Sequence, residues 1–115
     1  MTYKKTLCFD IDGTICTQTT GDYTKAEYFQ GAKDKINNLY DEGYKIIFFT
    51  SRYMNRFKGN REIIYKEGYE FTYNQLRDWG LKFHELHMCK PLYDKIIDDK
   101  SYKYDTEWYN LNIIL

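Results

Sequence analysis

Apolar residues are concentrated in short runs, and polar or turn-forming stretches separate these runs from one another. The runs are rich in β-favouring residues and too short for helices, so they predict buried strands. The first run is TLCFDI, and the second is YKIIFF. The predicted strands cover residues 6–11, 44–49, 82–87 and 95–97.

The segments between these runs carry apolar residues at helical spacing. Residues 32–42 predict a helix with one apolar face, followed by Gly43 as a stop signal. Residues 72–79 predict a second helix, with Thr72 as its N-cap and Gly80 after its end. The weaker elements are a helical turn at 62–66, a short helix at 106–111 and an edge strand at 112–115.

Strands that alternate with helices need crossover connections, and such connections predict a mainly parallel sheet. A chain of 115 residues suits one core, and no linker or repeat divides it. We therefore expect residues 1–115 to form a single α/β domain. Residues 14–30 are polar and irregular, which favours a hairpin-like flap after the first strand.

Polar residues follow the predicted strands at their carboxyl ends, where parallel sheets bind ligands. Several carboxylates at one sheet edge repel each other unless a divalent cation and a nearby Lys compensate. The sequence therefore predicts one site at this edge. Its residues in chain order are Asp10 and Asp12, then Thr50, then Lys90, then Asp98 and Asp99.

Charge and cysteine content limit the classes of function. The 17 Lys and Arg balance the 17 Asp and Glu, which argues against a protein that binds nucleic acid through a strong positive field. Cys8, Cys16 and Cys89 include no C-x-x-C pair, so we interpret them as reduced thiols of a cytoplasmic protein. The polar start predicts no signal peptide, and no apolar run approaches the length of a membrane helix.

Four motifs resemble those of the haloacid dehalogenase (HAD) superfamily of phosphatases, in the same order. They are CFDIDGT, IIFFTSR, CKPLYD and KIIDDK. The resemblance implies a Rossmannoid three-layer sandwich with a mainly parallel sheet. Only 17 residues separate Gly13 from Gly31, and 37 separate Arg52 from Lys90, so there is no room for a large cap domain. The later segments WGLKFHEL and KPLYDKIIDDK are similar to small phosphatases of capsule or surface-polysaccharide biosynthesis.

The resemblance implies a role for each catalytic residue. Asp10 would attack phosphorus and form an aspartyl-phosphate. Asp12 would protonate the leaving group and then activate water, which requires that nearby carboxylates raise its proton affinity. Thr50 would bind a phosphoryl oxygen, and Lys90 would supply positive charge.

The resemblance also implies a Mg²⁺ cofactor and a set of substrate contacts. The expected metal ligands are the carboxylate of Asp10, the main-chain carbonyl of Asp12 and the carboxylate of Asp99, with Asp98 beside them. The residues expected at the substrate are Gly13, Thr14, Ser51 and Arg52. Arg52 is equally well interpreted as a solvated loop residue.

The sequence thus predicts a Mg²⁺-dependent phosphomonoesterase that acts on a small phosphorylated metabolite, a sugar or polyol phosphate. The flap, residues 53–71 or a second subunit of a homo-oligomer would close the pocket, and the aromatic residues Tyr23, Tyr28, Tyr53 and Phe57 could cover the ligand. One alternative is a phosphatase of polynucleotide ends or of phosphoproteins. The non-enzyme alternatives are a receiver-like signalling module and a degenerate scaffold domain.

Overall fold

A three-stranded parallel sheet organises residues 2–110, which are the residues that the computed structural model describes. The strands lie in the order β1-β2-β3, and Cys8 of β1 is in register with Ile47 of β2. Short 3₁₀ turns lie at Tyr23–Lys25 and Trp108–Asn110. The main elements are β1 (Thr6–Phe9), α1 (Gln30–Asp41), β2 (Lys45–Phe49), α2 (Arg61–Asp78) and β3 (Glu85–His87).

The two helices pack on one face of the sheet. Right-handed crossovers along the order β1-β2-β3 place α1 and α2 on the same side. Ile46 and Phe48 point to that side and are fully buried with Ile36 of α1 and Ile64 of α2. Ile47 points to the opposite side and is only half-buried. The predicted α/β class and parallel sheet are confirmed, whereas the three-layer arrangement stays a prediction.

Helix α2 is one continuous element, where the sequence predicted a turn at 62–66 and a separate helix at 72–79. Asn60 is the N-cap, because its side chain accepts a hydrogen bond from the Ile63 amide. Thr72 lies buried in the middle of the helix, so its prediction as N-cap was wrong. Gly68 does not end the helix: a Cβ there would lie 2.4 Å from the ring of Tyr53, so the glycine serves close packing.

The fourth predicted strand does not form in the part of the chain that the structure describes. Residues 95–97 pair with no other strand, and Ile97 is 99% exposed. A three-residue segment with two apolar residues does not specify a pairing partner, and that prediction was wrong. At the C-terminal end, residues 108–110 of the helix predicted at 106–111 form a 3₁₀ turn, whereas residue 111 and the edge strand predicted at 112–115 lie outside the described residues.

The flap has the predicted hairpin-like form and ends at Phe29, because Gln30 begins α1. Cys16 and Tyr28 form an antiparallel bridge. The Thr17 amide donates a hydrogen bond to the Glu27 carbonyl at 2.9 Å, and the Phe29 amide donates one to the Ile15 carbonyl at 2.9 Å. These bonds hold both ends of the flap at the carboxyl end of β1.

The C-terminal segment docks against the loop that follows β1. Trp108 is buried with its ring 5.3 Å from that of Phe9, and its indole N–H donates a hydrogen bond to the Thr14 carbonyl at 2.9 Å. The Tyr104 hydroxyl donates one to the Gly13 carbonyl at 3.0 Å. Among residues 2–110, none of the helices combines the length and the apolar character that crossing a membrane requires.

Candidate functional site

A pocket of about 350 Å³ lies at the carboxyl ends of the strands. Gln18, Thr19 and Tyr23 of the flap form one wall, and residues 91–93 form another. The sequence did not single out Gln18, Thr19 or residues 91–93. The predicted site residues that the structure brings together here are Asp10, Asp12, Thr50, Ser51, Arg52 and Lys90.

Asp10 is held by two donors and still faces solvent. The Thr14 hydroxyl donates a hydrogen bond to its Oδ2 at 3.1 Å, and the Lys90 ammonium lies 3.5 Å from its Oδ1. The Asp10 side chain remains 35% exposed. A carboxylate that is oriented in this way and open on one side can meet an incoming phosphorus atom.

Main-chain hydrogen bonds place Thr50 beside Lys90. The β2–β3 ladder continues beyond both strands, since the Thr50 amide donates to the His87 carbonyl and the Lys90 amide donates to the Thr50 carbonyl, both at 3.0 Å. The Ser51 hydroxyl donates to the Lys90 carbonyl at 2.7 Å. These bonds explain how residues of two separate sequence motifs reach one pocket wall.

Lys90 remains a cation at neutral pH. Burial by itself would lower its pKa, but hydrogen bonding with Tyr93 and the charge of Asp10 outweigh burial and raise the pKa above its ordinary value. The ammonium group also lies 5.3 Å from the centre of the Tyr93 ring. The pocket therefore contains a fixed positive charge next to Asp10.

Arg52 forms the main ion pair of the site with Asp12. Its Nε donates to Asp12 Oδ2 at 2.8 Å and its Nη2 to Asp12 Oδ1 at 2.9 Å, a two-pronged arrangement. The Arg52 side chain is fully buried, and its guanidinium group lies 4.6 Å from the centre of the Tyr23 ring. Burial would lower the pKa of Arg52, but Asp12 more than offsets this and raises it. The guanidinium expected at the substrate is thus bound within the protein.

Gly13 and Thr14 shape the loop rather than project into the pocket. Gly13 has a φ of +86°, and the Gln18 side chain fills the space beside it, 2.6 Å from where a Cβ would lie. Thr14 orients Asp10 through its hydroxyl. Neither residue is among those that line the pocket, so their predicted substrate contact stays a prediction.

Asp98 and Asp99 are exposed and do not line the pocket. The fourth strand that was expected to carry them there does not form in residues 2–110. In this range no three His, Cys, Asp or Glu residues come together where they could hold a metal ion. Of the residues expected as ligands, Asp10 and Asp12 line the pocket, and the Asp12 carbonyl accepts a hydrogen bond from the Gln18 side-chain amide at 3.3 Å.

Cys16 is a buried thiol in contact with this site, and its titration gives a prediction about stability. Its Sγ lies 3.5 Å from Asp12 Oδ1. Burial, and then the charge of Asp12, raise the pKa of Cys16 from 9.0 to about 12. Between these values the folded protein keeps a proton that the unfolded chain loses, so a rise in pH favours unfolding there.

We therefore expect the free energy of unfolding of the wild type to fall, relative to that of Cys16→Ser, by about 2–3 kcal/mol between pH 8 and pH 11. The serine hydroxyl does not titrate in this range, so the variant corrects for all other groups. Urea denaturation at both pH values measures the difference. A difference that stays constant with pH would contradict the assigned burial of the thiol.

The sequence matches none of the protein-family models and none of the curated proteins. A solved structure of a structural-genomics target from Vibrio cholerae is similar to the chain, with a TM-score of 0.85 and 23% sequence identity. The match covers 94% of this chain and 89% of that protein. At this identity the likeness shows the fold alone, and it supports a small α/β fold for this chain.

Proposed function

We propose that this protein is a HAD-type phosphatase with the Rossmannoid fold of that superfamily. In this proposal it is a Mg²⁺-dependent phosphomonoesterase that works through an aspartyl-phosphate. The observation that carries the proposal is the pairing of the half-open Asp10 carboxylate with the Lys90 ammonium at 3.5 Å, at the mouth of a strand-end pocket. Thr50, from the neighbouring strand end, completes this set.

Asp10 acts as the nucleophile. One of its carboxylate oxygens attacks phosphorus, a P–O bond forms, and the ester P–O bond breaks as the alcohol leaves. Lys90 balances the negative charge on the transferring phosphoryl group, and it does so inside a partly desolvated pocket, where electrostatic stabilisation is strongest. Thr14 keeps the carboxylate oriented for the attack.

Asp12 moves the protons. It delivers a proton to the leaving oxygen, then takes one from the water that attacks the aspartyl-phosphate, and this second step releases inorganic phosphate and regenerates Asp10. In the structure both Asp12 oxygens accept hydrogen bonds from Arg52. Each carboxylate oxygen has two lone-pair sites, so Asp12 can keep both Arg52 bonds and still exchange a proton at Oδ2.

The oxygen atoms that could ligate a metal at the pocket suit a weakly held Mg²⁺ ion. This ion usually takes one or two carboxylates, substrate phosphate oxygens and waters rather than a complete protein cage. The Asp10 carboxylate and the Asp12 carbonyl would hold it. When bound, the ion would neutralise part of the negative charge on the substrate phosphate.

The substrate class follows from the size and the charge of the site. A pocket of about 350 Å³ suits a small phosphorylated molecule, because ligand pockets start at roughly 300 Å³. The chain has no net positive charge to attract a polynucleotide. The late motifs also resemble those of polysaccharide-associated phosphatases. We therefore propose a sugar or polyol phosphate as the substrate.

A substrate panel tests this function. We expect release of phosphate from sugar and polyol phosphates in the presence of Mg²⁺, loss of that activity in excess EDTA, and its return when Mg²⁺ is restored. The kcat/KM values for these substrates should exceed those for 3′-phosphorylated oligonucleotides. Undiminished turnover in EDTA would refute the metal dependence. A preference of about 100-fold for the oligonucleotide that weakens steeply with salt would instead identify a nucleic-acid-end phosphatase.

A further inference from the structure

Four residues from separate parts of the chain form one connected network around Asp12. Arg52 binds Asp12 through two nitrogens, and its third nitrogen, Nη1, donates to the side-chain oxygen of Gln75 at 2.7 Å. The amide nitrogen of Gln75 donates to the main-chain carbonyl of Tyr23 at 2.7 Å. The network therefore runs from Asp12 through Arg52 and helix α2 to the flap.

The network uses all three nitrogens of the guanidinium group. The Tyr23 ring lies over one face of the guanidinium group, and the Arg52 side chain is fully buried, so it presents no exposed atom to a substrate phosphate. A planar guanidinium that binds a carboxylate through two parallel bonds also fixes the orientation of that carboxylate. This geometry fits internal positioning and not ligand binding.

The flap depends on the same network. Tyr23 lines the pocket, its hydroxyl accepts a hydrogen bond from the Tyr53 amide at 3.2 Å, and its carbonyl is held by Gln75. Gln75 therefore links Tyr23, in the wall of the pocket, to Arg52, the partner of Asp12. A change at either Arg52 or Gln75 acts on both the flap and the carboxylate.

We infer that Arg52 is a positioning residue that orients Asp12 for proton transfer and, through Gln75, ties the flap to helix α2 over the pocket. The catalytic part of this inference rests on the proposed phosphatase function, whereas the tie of the flap does not. No sequence pattern indicates this network, because Gln75 belongs to none of the motifs and Arg52 lies 40 positions from Asp12.

The chain offers a matched control in Arg56. This arginine is exposed, and its guanidinium group lies 5.7 Å from the centre of the Tyr23 ring and 4.8 Å from that of Tyr53. It also donates to the Gly21 carbonyl of the flap. It thus shares the Tyr23 contact and the positive charge of Arg52 but does not bind Asp12.

The kinetic test compares Arg52→Lys, Gln75→Leu and Arg56→Met, with p-nitrophenyl phosphate as the probe. Lysine keeps the charge but cannot form two parallel bonds, so we expect kcat to fall by about 30-fold or more with KM changed less than threefold. Gln75→Leu should lower kcat by about fivefold, and Arg56→Met should leave it unchanged. A KM that rises about 30-fold in Arg52→Lys while kcat holds would overturn the inference in favour of a substrate contact.

A second readout needs no turnover. Cys16 of the flap is fully buried beside Asp12, so iodoacetamide can reach it only when the flap opens. We expect its alkylation at pH 8, followed by mass spectrometry, to be about tenfold faster in Gln75→Leu and in Arg52→Lys, and less than threefold faster in Arg56→Met, which loses only an exposed contact with the flap. If the wild type has no phosphatase activity, the proposed function fails. The Cys16 alkylation rate then decides by itself whether the network holds the flap to helix α2.

Equal Cys16 protection in all four proteins would overturn the inference about the flap. Circular dichroism first establishes that each variant folds. If Arg52→Lys does not fold, Gln75→Leu carries both tests: its alkylation rate reports on the flap, and its kcat reports on the loss of the Nη1 contact that holds the Arg52 guanidinium against Asp12.

Discussion

Asp10→Asn is expected to lower turnover by at least about 10⁴-fold, the scale on which loss of a covalent nucleophile acts in enzymes that use one. The amide has no negative charge and does not form an acyl-phosphate, so the first chemical step is lost. The fold should survive, because the Asp10 side chain is partly exposed and an asparagine oxygen can still accept the hydrogen bond from Thr14. Steady-state assays with the best substrate of the panel measure the effect.

The control for this variant is Asp41→Asn, which changes an exposed aspartate of α1 that pairs with Lys82 and lies outside the pocket lining. It should keep wild-type turnover. Fluoroberyllate, a mimic of the acyl-phosphate, should bind at Asp10 in the wild type and not in Asp10→Asn. Retention of full activity in Asp10→Asn would refute the mechanism.

Asp12→Asn is expected to impair both catalysis and stability. Turnover should fall by about 10²-fold or more, because a positioned acid–base group is lost. The free energy of unfolding should fall by about 3 kcal/mol, because the fully buried Arg52 loses its anionic partner. The amide nitrogen of asparagine would also face one of the Arg52 donors. Urea denaturation measures the second effect.

The comparison of two asparagine variants makes this prediction specific. Asp10→Asn should cost much less stability than Asp12→Asn, since Lys90 is less buried than Arg52 and lies at 3.5 Å. Binding of Mg²⁺ should persist in Asp12→Asn, because the proposed ligand there is the main-chain carbonyl. Equal stability losses in the two variants would show that the buried ion pair does not carry the energy assigned to it.

The sequence was sufficient to predict those strands and site residues for which the local pattern and the sheet topology agree. Short apolar runs identified the three strands of the sheet, and parallel strands necessarily bring their carboxyl ends to one edge. Asp10, Thr50 and Lys90 therefore met in one pocket as predicted. Each of these residues lies within a few positions of a strand end, so small errors in strand length did not move them away from the site.

The sequence was insufficient where a tertiary partner decides the outcome. The sequence predicted a break between residues 66 and 72, but Gly68 lies inside one continuous α2, where the Tyr53 ring packs against it. Residues 95–97 have strand-like composition, yet composition cannot supply a neighbouring strand. Arg52 was predicted as a substrate contact or a solvated loop residue, and its internal role was missed because its partners are distant along the chain.

The docked C-terminal segment has a consequence for the dynamics of the loop after β1. Residues 91–107 are exposed throughout, so a tether of little internal stability joins Trp108 to the sheet. Release of Trp108 and Tyr104 would free the carbonyls of Thr14 and Gly13 without breaking a main-chain hydrogen bond of the sheet or of either helix. We expect this C-terminal segment to detach at a free energy below that of global unfolding. The time for which the Trp108 ring stays bound to the Thr14 carbonyl therefore limits how long the loop after β1 keeps one conformation.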